Sequence, residues 1–321
     1  MRALQSSGGM SESVQDLRDG LRHVWLGYRQ HQFIYLAGVG LPLLVFIAFV
    51  GIPILYTVYL SLFNWDGIGI QKTFIGLQNY QTLIVDPSFL LSLKNTTIWT
   101  LLTLLVPVSM GFLLAIFLTS AQVYMSGTIR SLLFLPTTMS LVTVGIMFSL
   151  ILNPIFGAMN IVLRNMGLGF LQRDWLSDTS INLYTLIFTY AWLWVGFPLT
   201  MFFAGIRQIS AELYETAQIE GANVFQTTRF VTIPLLRPVF TAVMVIAVIN
   251  SVKAFDLVFT MTRGGPYGRT SVLGYYMYLQ AFLSYRYGYG AAISVIILII
   301  SSVFAYVYLR HIAGESLHGA D

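Results

Sequence analysis

Apolar residues in this chain come in long unbroken runs, and the charged residues stand at the ends of those runs. Charge-free stretches of 36, 35, 33, 28 and 23 residues separate Arg29 from Asp66, Lys94 from Arg130, Arg130 from Arg164, Asp178 from Arg207 and Arg286 from Arg310. A sixth apolar stretch, Pro238 to Thr262, carries only Lys253 and Asp256. A helix needs about 20 apolar residues to cross the hydrocarbon of a bilayer. Each stretch therefore suffices for one crossing, and none for two joined by a turn. The pattern predicts an all-α integral membrane protein with six spans, near 33–63, 98–119, 131–152, 182–206, 239–262 and 288–309. A membrane β-barrel is excluded, because its strands would alternate over about ten residues.

Ahead of the first run, Val14, Leu17, Leu21, Val24, Trp25 and Tyr28 recur at spacings of three and four, with Arg18, Arg22 and Arg29 largely off that stripe. This predicts an amphipathic helix lying in the headgroup region, with Ser13 and Asp16 placed to cap its start. The apolar run that follows starts only at Phe33, is much longer than a signal-peptide core and has no A-x-A-like site after it. It reads as a crossing that stays. The expected organisation is a tail and interfacial helix over 1–32, a membrane domain over 33–310 and a C-terminal tail over 311–321.

Composition supports this pattern and closes off other classes. The 321 residues are 56% hydrophobic and 9% charged, with mean hydropathy +0.75, whereas a soluble domain is about 25% charged. The net charge of +4 is spread along the chain, without the dense basic stripe that nucleic acid requires. Zero cysteines exclude disulfide frameworks and thiolate chemistry. His23, His31, His311 and His318 lie in the tails without H-x-x-x-H spacing, so no zinc site is expected. No G-x-x-x-x-G-K-[ST] occurs, so no nucleotide-binding loop is expected in this chain. With both termini inside, nine arginines fall on the cytoplasmic side against seven basic residues outside, the bias that sets membrane topology.

One segment is too polar to be a plain connection. Arg207–Pro238 is over thirty residues long, where most connections are two to eight. Ser210 is placed to cap a helix with Glu212 in its first turn, and Gly221 is placed as its stop. A second short helix over Val224–Phe230 is expected to end at Pro234 and Pro238. Two short helices meeting at a Gly-Ala corner thus protrude from the membrane.

Within this segment Glu215-Thr216-Ala217, then Gly221, then nine residues and Val231-x-Ile233-Pro234 resemble the cytoplasmic signature of permeases of binding-protein-dependent ABC importers, E-A-A-x-x-x-G-x₉-I-x-L-P. Thr216, Val231, Ile233 and Glu220 depart conservatively from the pattern. Phe74-Ile75-Gly76-Leu77-Gln78-Asn79-Tyr80, Asp86-Pro87-Ser88-Phe89 and Asn95-Thr96 are similar to the first external loop of that family's carbohydrate branch. So is the run from Phe255 and Leu257 through Thr262, Gly264-Gly265-Pro266 and Thr270 to Ala281-Phe282. The resemblance covers about residues 33–310.

The resemblance implies a type I ABC importer transmembrane domain in a bacterial plasma (inner) membrane, preceded by an elbow helix. It implies a sugar, oligosaccharide or polyol as substrate. The implied partners are a second homologous permease, two cytoplasmic ATPase subunits that hold the ATP and Mg, and an extracytoplasmic solute-binding protein docking on the outer loops. The segment 207–238 becomes a coupling loop, in which Leu213, Tyr214, Glu215, Ala217, Glu220, Gly221, Ala222, Phe225 and Pro234 serve contact with an ATPase. Glu215 would meet the ATPase surface or hydrogen-bond within the loop, and Gly221 would turn the chain where a Cβ would clash.

For the substrate, polar groups inside spans are the first candidates, because they are costly there. Lys253 and Asp256 sit about one turn apart in span 5, and two readings stand: a pathway or gate element, or a structural pair packing against a partner chain. Asn250 and Ser251, one turn earlier, could hydrogen-bond sugar hydroxyls. Trp192 offers a ring for the C–H face of a sugar. Gly196 with Pro198 suggests a kink where backbone groups face a cavity. By resemblance Thr137 aligns with a cavity-lining position, and Trp192, Gly196 and Ser251 fall at or beside positions that touch sugar. The alternative from another class is a secondary transporter driven by an ion gradient, which Lys253 and Asp256 would serve. Such proteins usually show inverted repeats and more spans.

Overall fold

The computed structural model describes residues 36–120, 125–251 and 254–318. The expected interfacial helix over 1–32 and Lys253 lie outside the described residues. The chain divides into two units, one ending at Tyr59 and the other beginning at Leu60. Three helices are long and apolar enough to cross a membrane unbroken: Gly38–Leu60 (span 1), Pro87–Thr119 (span 2) and Tyr287–Phe304 (span 6). Among the described residues three more pass the same test as bent pairs, up to six in all if each pair is one span. The third pair, Val224–Leu235 with Arg237–Ser251, begins in the polar segment and ends before the 262 expected for span 5.

Span 2 starts earlier than the charge pattern suggested. Its helix runs 34 residues, Pro87–Ser120, and takes in Lys94, Asn95 and Thr96, which the charge boundaries had placed in a loop. At 1.5 Å per residue it is about 50 Å long, so its first turns stand beyond a hydrocarbon core of about 30 Å. The last helix likewise continues past the expected boundary at 310, running Tyr287–His318.

The bent spans show where packing overrides a straight crossing. Span 3 is Ser126–Thr138 followed by Leu141–Ile151, turned by 102°. The first helix closes in a short 3₁₀ segment, Leu135–Thr138. Pro136 within it donates no amide, and Leu135 before it keeps helical backbone. Met139 and Ser140 are then extended before the second helix starts. Span 4 is Asn182–Trp194 and Gly196–Gln208, bent by 42°. Val224–Leu235 and Arg237–Ser251 meet at 72°, so the second coupling-loop helix is not ended by Pro234. That proline sits just past a π-helical turn, Thr228–Thr232, and the helix runs on to Leu235. Ala254–Met261 follows beyond two residues outside the description.

The core of the second unit lies where spans 2 and 4 cross. A Cβ on Gly111 would stand 2.6 Å from Pro198 Cβ and 2.7 Å from the Leu199 amide nitrogen. Only glycine permits that backbone approach, which is how helices gain dispersion contact in lipid. Phe112, Phe202 and Phe240 close the crossing, with ring centroids 4.4–5.3 Å apart.

On the opposite end of the bundle from the coupling loop, the similar external motifs meet in space. Phe63–Asn64 pairs antiparallel with Thr73–Phe74, and Asn79 Nδ2 donates to the Ser61 and Phe63 carbonyls. Asn95 Nδ2 donates to the Gly268, Arg269 and Ser271 carbonyls at 2.9–3.3 Å. Thr96 Oγ1 accepts from the Leu273 amide.

Asp86 is the knot of this face. Its Oδ2 accepts from Tyr276 at 2.5 Å and Tyr289 at 2.6 Å, and its Oδ1 from the Ser88 amide at 2.9 Å. Partial burial favours the neutral carboxyl, but the two tyrosine hydroxyls and the amides outweigh it and hold its pKa below the ordinary 3.8. A lowered carboxylate pKa stabilises the fold fully above 3.8, and that contribution fades as the pH falls through the lowered value. Asp86→Ala should cost about 2–3 kcal/mol, the worth of a hydrogen bond or two to a charged group. It should appear at neutral pH as a lower melting temperature in detergent; an unchanged melt would show the two hydroxyls to be equally well served by water.

Candidate functional site: a coupling helix and a membrane pathway

The coupling loop is built from local rules. Helix Ala211–Ile219 follows Ser210, which occupies the cap position with extended backbone but makes no side-chain cap bond. Its end is closed twice over. The Gly221 amide donates to Gln218 O at 3.0 Å and the Ala222 amide to Ala217 O at 2.9 Å, the paired closure that requires a left-handed residue between them. Gly221 supplies it with φ +81°. Among the described residues, no atom comes within 4 Å of where its Cβ would be. The expected clash is therefore not made inside this chain, and within it glycine is required by backbone conformation alone.

The second helix opens with a capping box that the sequence reading overlooked. Asn223 Oδ1 accepts from the Gln226 amide and Gln226 Oε1 from the Asn223 amide, both at 2.9 Å. The N-x-x-Q spacing was its legible signal. Tyr214 Oη lies 3.2 Å from Thr232 Oγ1, bridging the two helices. Tyr214 is half-buried and Ala217 buried, while Leu213, Glu215, Glu220, Phe225 and Pro234 are exposed and Ala222 is half-exposed. Glu215 makes no hydrogen bond or ion pair among the described residues. It lines a cavity of about 590 Å³ between the loop and the bundle, together with Thr119, Tyr214, Gln218 and Thr228. Ile219 and Val224 join Leu213 and Phe225 as exposed apolar side chains around the corner.

The pathway candidates divide into two groups. Thr137 is half-buried and donates to Leu193 O at 2.9 Å, tying the turn of span 3 to span 4. Gly196 is packed rather than open to a cavity: its Cβ would fall 2.1 Å from Leu133 O and 2.6 Å from Phe134 Cα. The kink expected at Gly196–Pro198 is present, but its backbone meets another backbone. Ser251 is buried and its hydroxyl donates to Val248 O at 2.7 Å. Thr137 and Gly196 join span 3 to span 4, while the Ser251 bond stays within its own helix.

The side chains of three others make no polar contact among the described residues. The Trp192 ring is partly exposed and packs against Phe148 at 5.2 Å. Asn250 is half-buried without a hydrogen-bond partner among the described residues. Asp256 is half-buried, its carboxylate without a partner among the described residues. Its helix packs closely on the second half of span 3, where a Cβ on Gly145 would meet Thr260 Oγ1 at 2.1 Å.

Comparison with known proteins decides the family. The model of the inner membrane component of binding-protein-dependent transport systems matches residues 108–313, more than half of the chain. The chain belongs to this family. It is 35% identical to a probable ABC transporter permease of Pyrococcus horikoshii, over 84% of this chain and 92% of that one. It is 31% identical to the arabinooligosaccharides transport system permease AraP of Bacillus subtilis, over 91% of this chain and 92% of that one. Among solved structures, a bacterial ABC transporter involved in importing the acidic polysaccharide alginate superposes with TM-score 0.75 at 22% identity, covering 90% of this chain and 98% of that one. That likeness shows the fold of an ABC importer's membrane domain. The protein is thus a membrane-spanning ABC permease subunit, and the segment 207–238 lies within the residues the family model matches.

Proposed function

We propose that this permease carries a sugar, oligosaccharide or polyol, released to it by an extracytoplasmic binding protein, into the cytoplasm. Two ATPase subunits drive it, holding ATP and Mg themselves, and a second homologous permease completes the pathway. The observation that carries the ATPase contact is the exposed corner of Leu213, Ile219, Val224 and Phe225 around a rigidly closed helix end. Four apolar side chains exposed to water at one corner fit a partner's cleft better than solvent. Closure of the ATPase pair on ATP would move this corner as one body and bias the packing of bent spans 3 and 4, a two-state element shifted by a ligand on another chain.

Carbohydrate as the substrate class is supported by relatives such as AraP and by the external motifs. Trp192, Asn250 and Asp256 offer a ring face, an amide and a carboxylate, groups suited to C–H faces and hydroxyls. Orientation follows from the same reading, with both termini and the coupling loop cytoplasmic in an inner membrane.

The test is uptake by proteoliposomes holding this permease with its partner subunits and binding protein. With internal ATP supplied and ion gradients collapsed, uptake of labelled oligosaccharide should persist. Uptake that stops with the gradient and ignores ATP would overturn the ATP-driven reading. ATP-driven uptake of another solute class alone would overturn only the carbohydrate assignment.

A further inference from the structure

A second cavity, of about 410 Å³, opens beside the start of the coupling loop, between the first turn of span 3 and the last turn of span 4. Ser126, Gly127 and Arg130 line one wall, and Phe203, Ala204 and Arg207 the other. Both arginines stand over the same ring: the Arg130 guanidinium is 4.8 Å from the Phe203 centroid and that of Arg207 is 6.0 Å away. Neither makes an ion pair with a described residue; the ion pair seen among them, Arg173–Asp178, is elsewhere.

Two guanidiniums in one pocket repel each other, and one aromatic face offsets only part of that. An anion between them would turn the repulsion into two attractive contacts. Arginine's planar fork matches phosphate oxygens two at a time, and a stacked guanidinium is already held in place for it. The pocket also lies where two apolar helices end, and the ends of membrane spans are where headgroups are met. Basic pockets between spans at that depth suit anionic headgroups. Phe203 and Ala204 add an apolar wall.

We propose that the Arg130–Arg207 pocket binds a phosphate group, presented by an anionic phospholipid headgroup or by a free phosphate ester. Arg207 lies three residues before Ser210 and the coupling helix, so a bound phosphate braces the root of the coupling loop against span 3. The binding stands on the pocket alone; only this effect on coupling rests on the proposed ATP-driven transport.

The test uses the complete transporter in nanodiscs of phosphatidylcholine with and without phosphatidylglycerol. Lipid retained after detergent extraction is read by native mass spectrometry, for wild type, R130Q/R207Q and R130K/R207K. Wild type should retain phosphatidylglycerol over phosphatidylcholine by about tenfold, R130Q/R207Q should lose the preference, and the lysine variant should fall between, keeping charge without the fork. Retention unaffected by added inorganic phosphate identifies the lipid headgroup, and displacement by it identifies a free phosphate ester as the ligand. Equal retention in wild type and R130Q/R207Q, with no inorganic phosphate bound by the wild type, would overturn the proposal. So would loss of the ATPase subunits from R130Q/R207Q with lipid retention unchanged, since the pocket would then hold an acidic side chain of a partner. The wild-type measurement stands alone should the double variant fail to assemble. Failed lipid selectivity with intact ATP-driven uptake would sink this proposal and leave the transport reading untouched.

Discussion

Replacing Gly221 by aspartate is expected to abolish uptake while the permease still inserts and folds. Within the chain the substitution is inexpensive. The position has φ +81° and open space where the Cβ would go, so the cost is that of a left-handed non-glycine residue, about 1–2 kcal/mol and least for Asn or Asp. Stabilities of 5–15 kcal/mol absorb that. The loss must then come from outside the chain, where a carboxylate would stand at the apex of the corner made by Leu213, Ile219, Val224 and Phe225. An apolar partner cleft would exclude it, because burying an unpaired charge costs several kcal/mol. The measurement pairs uptake with ATP hydrolysis and the amount of permease in the membrane: normal insertion with uncoupled hydrolysis is the expected outcome. Gly167→Asp is the control for backbone strain, having φ +76° and equally open surroundings on another loop. If Gly221→Asp transports like wild type, the coupling role of this corner is lost.

The second large effect is expected at Gly196, for a different reason. An alanine Cβ there would sit 2.1 Å from a backbone carbonyl oxygen and 2.6 Å from a backbone Cα. Neither can rotate away, so span 3 and span 4 must separate. Overpacking typically costs 1–3 kcal/mol, and a clash with fixed backbone lies at or above the top of that range. The helix-propensity gain of Gly to Ala, at most about 1 kcal/mol, does not offset it. Gly196→Ala should therefore reduce the amount of assembled transporter surviving mild heating. A variant that assembles normally but shows a raised KM for sugar would instead restore Gly196 to the substrate pathway.

Much of this was legible because it is local. Whether twenty residues can cross lipid depends on those residues alone, since a helix satisfies its own backbone polar groups. The placement of charges therefore located six crossings without reference to one another. The coupling helix was equally readable: its acidic first turn and its glycine stop are decided within a turn or two of chain. The capping box at Asn223 and Gln226 was readable by the same rule and passed unnoticed.

The rest depended on partners distant in sequence. The charge pattern placed one uninterrupted span over 131–152, but the chain turns there by 102°, and Thr137 on Leu193 O and Gly196 against Leu133 O pack the turn on span 4. Gly196 and Thr137 are pathway candidates in the sequence because small and polar groups inside spans serve helix contact and substrate contact alike; in the fold their neighbours are other helices. Asp86 gave no local sign of its role, since Tyr276 and Tyr289 lie 190 and 203 residues away. By itself the sequence determined what is settled within one helix: the crossings, the coupling helix and the family signature. The tertiary structure decided which glycines are contacts and where spans bend, because each of those depends on what another helix places alongside.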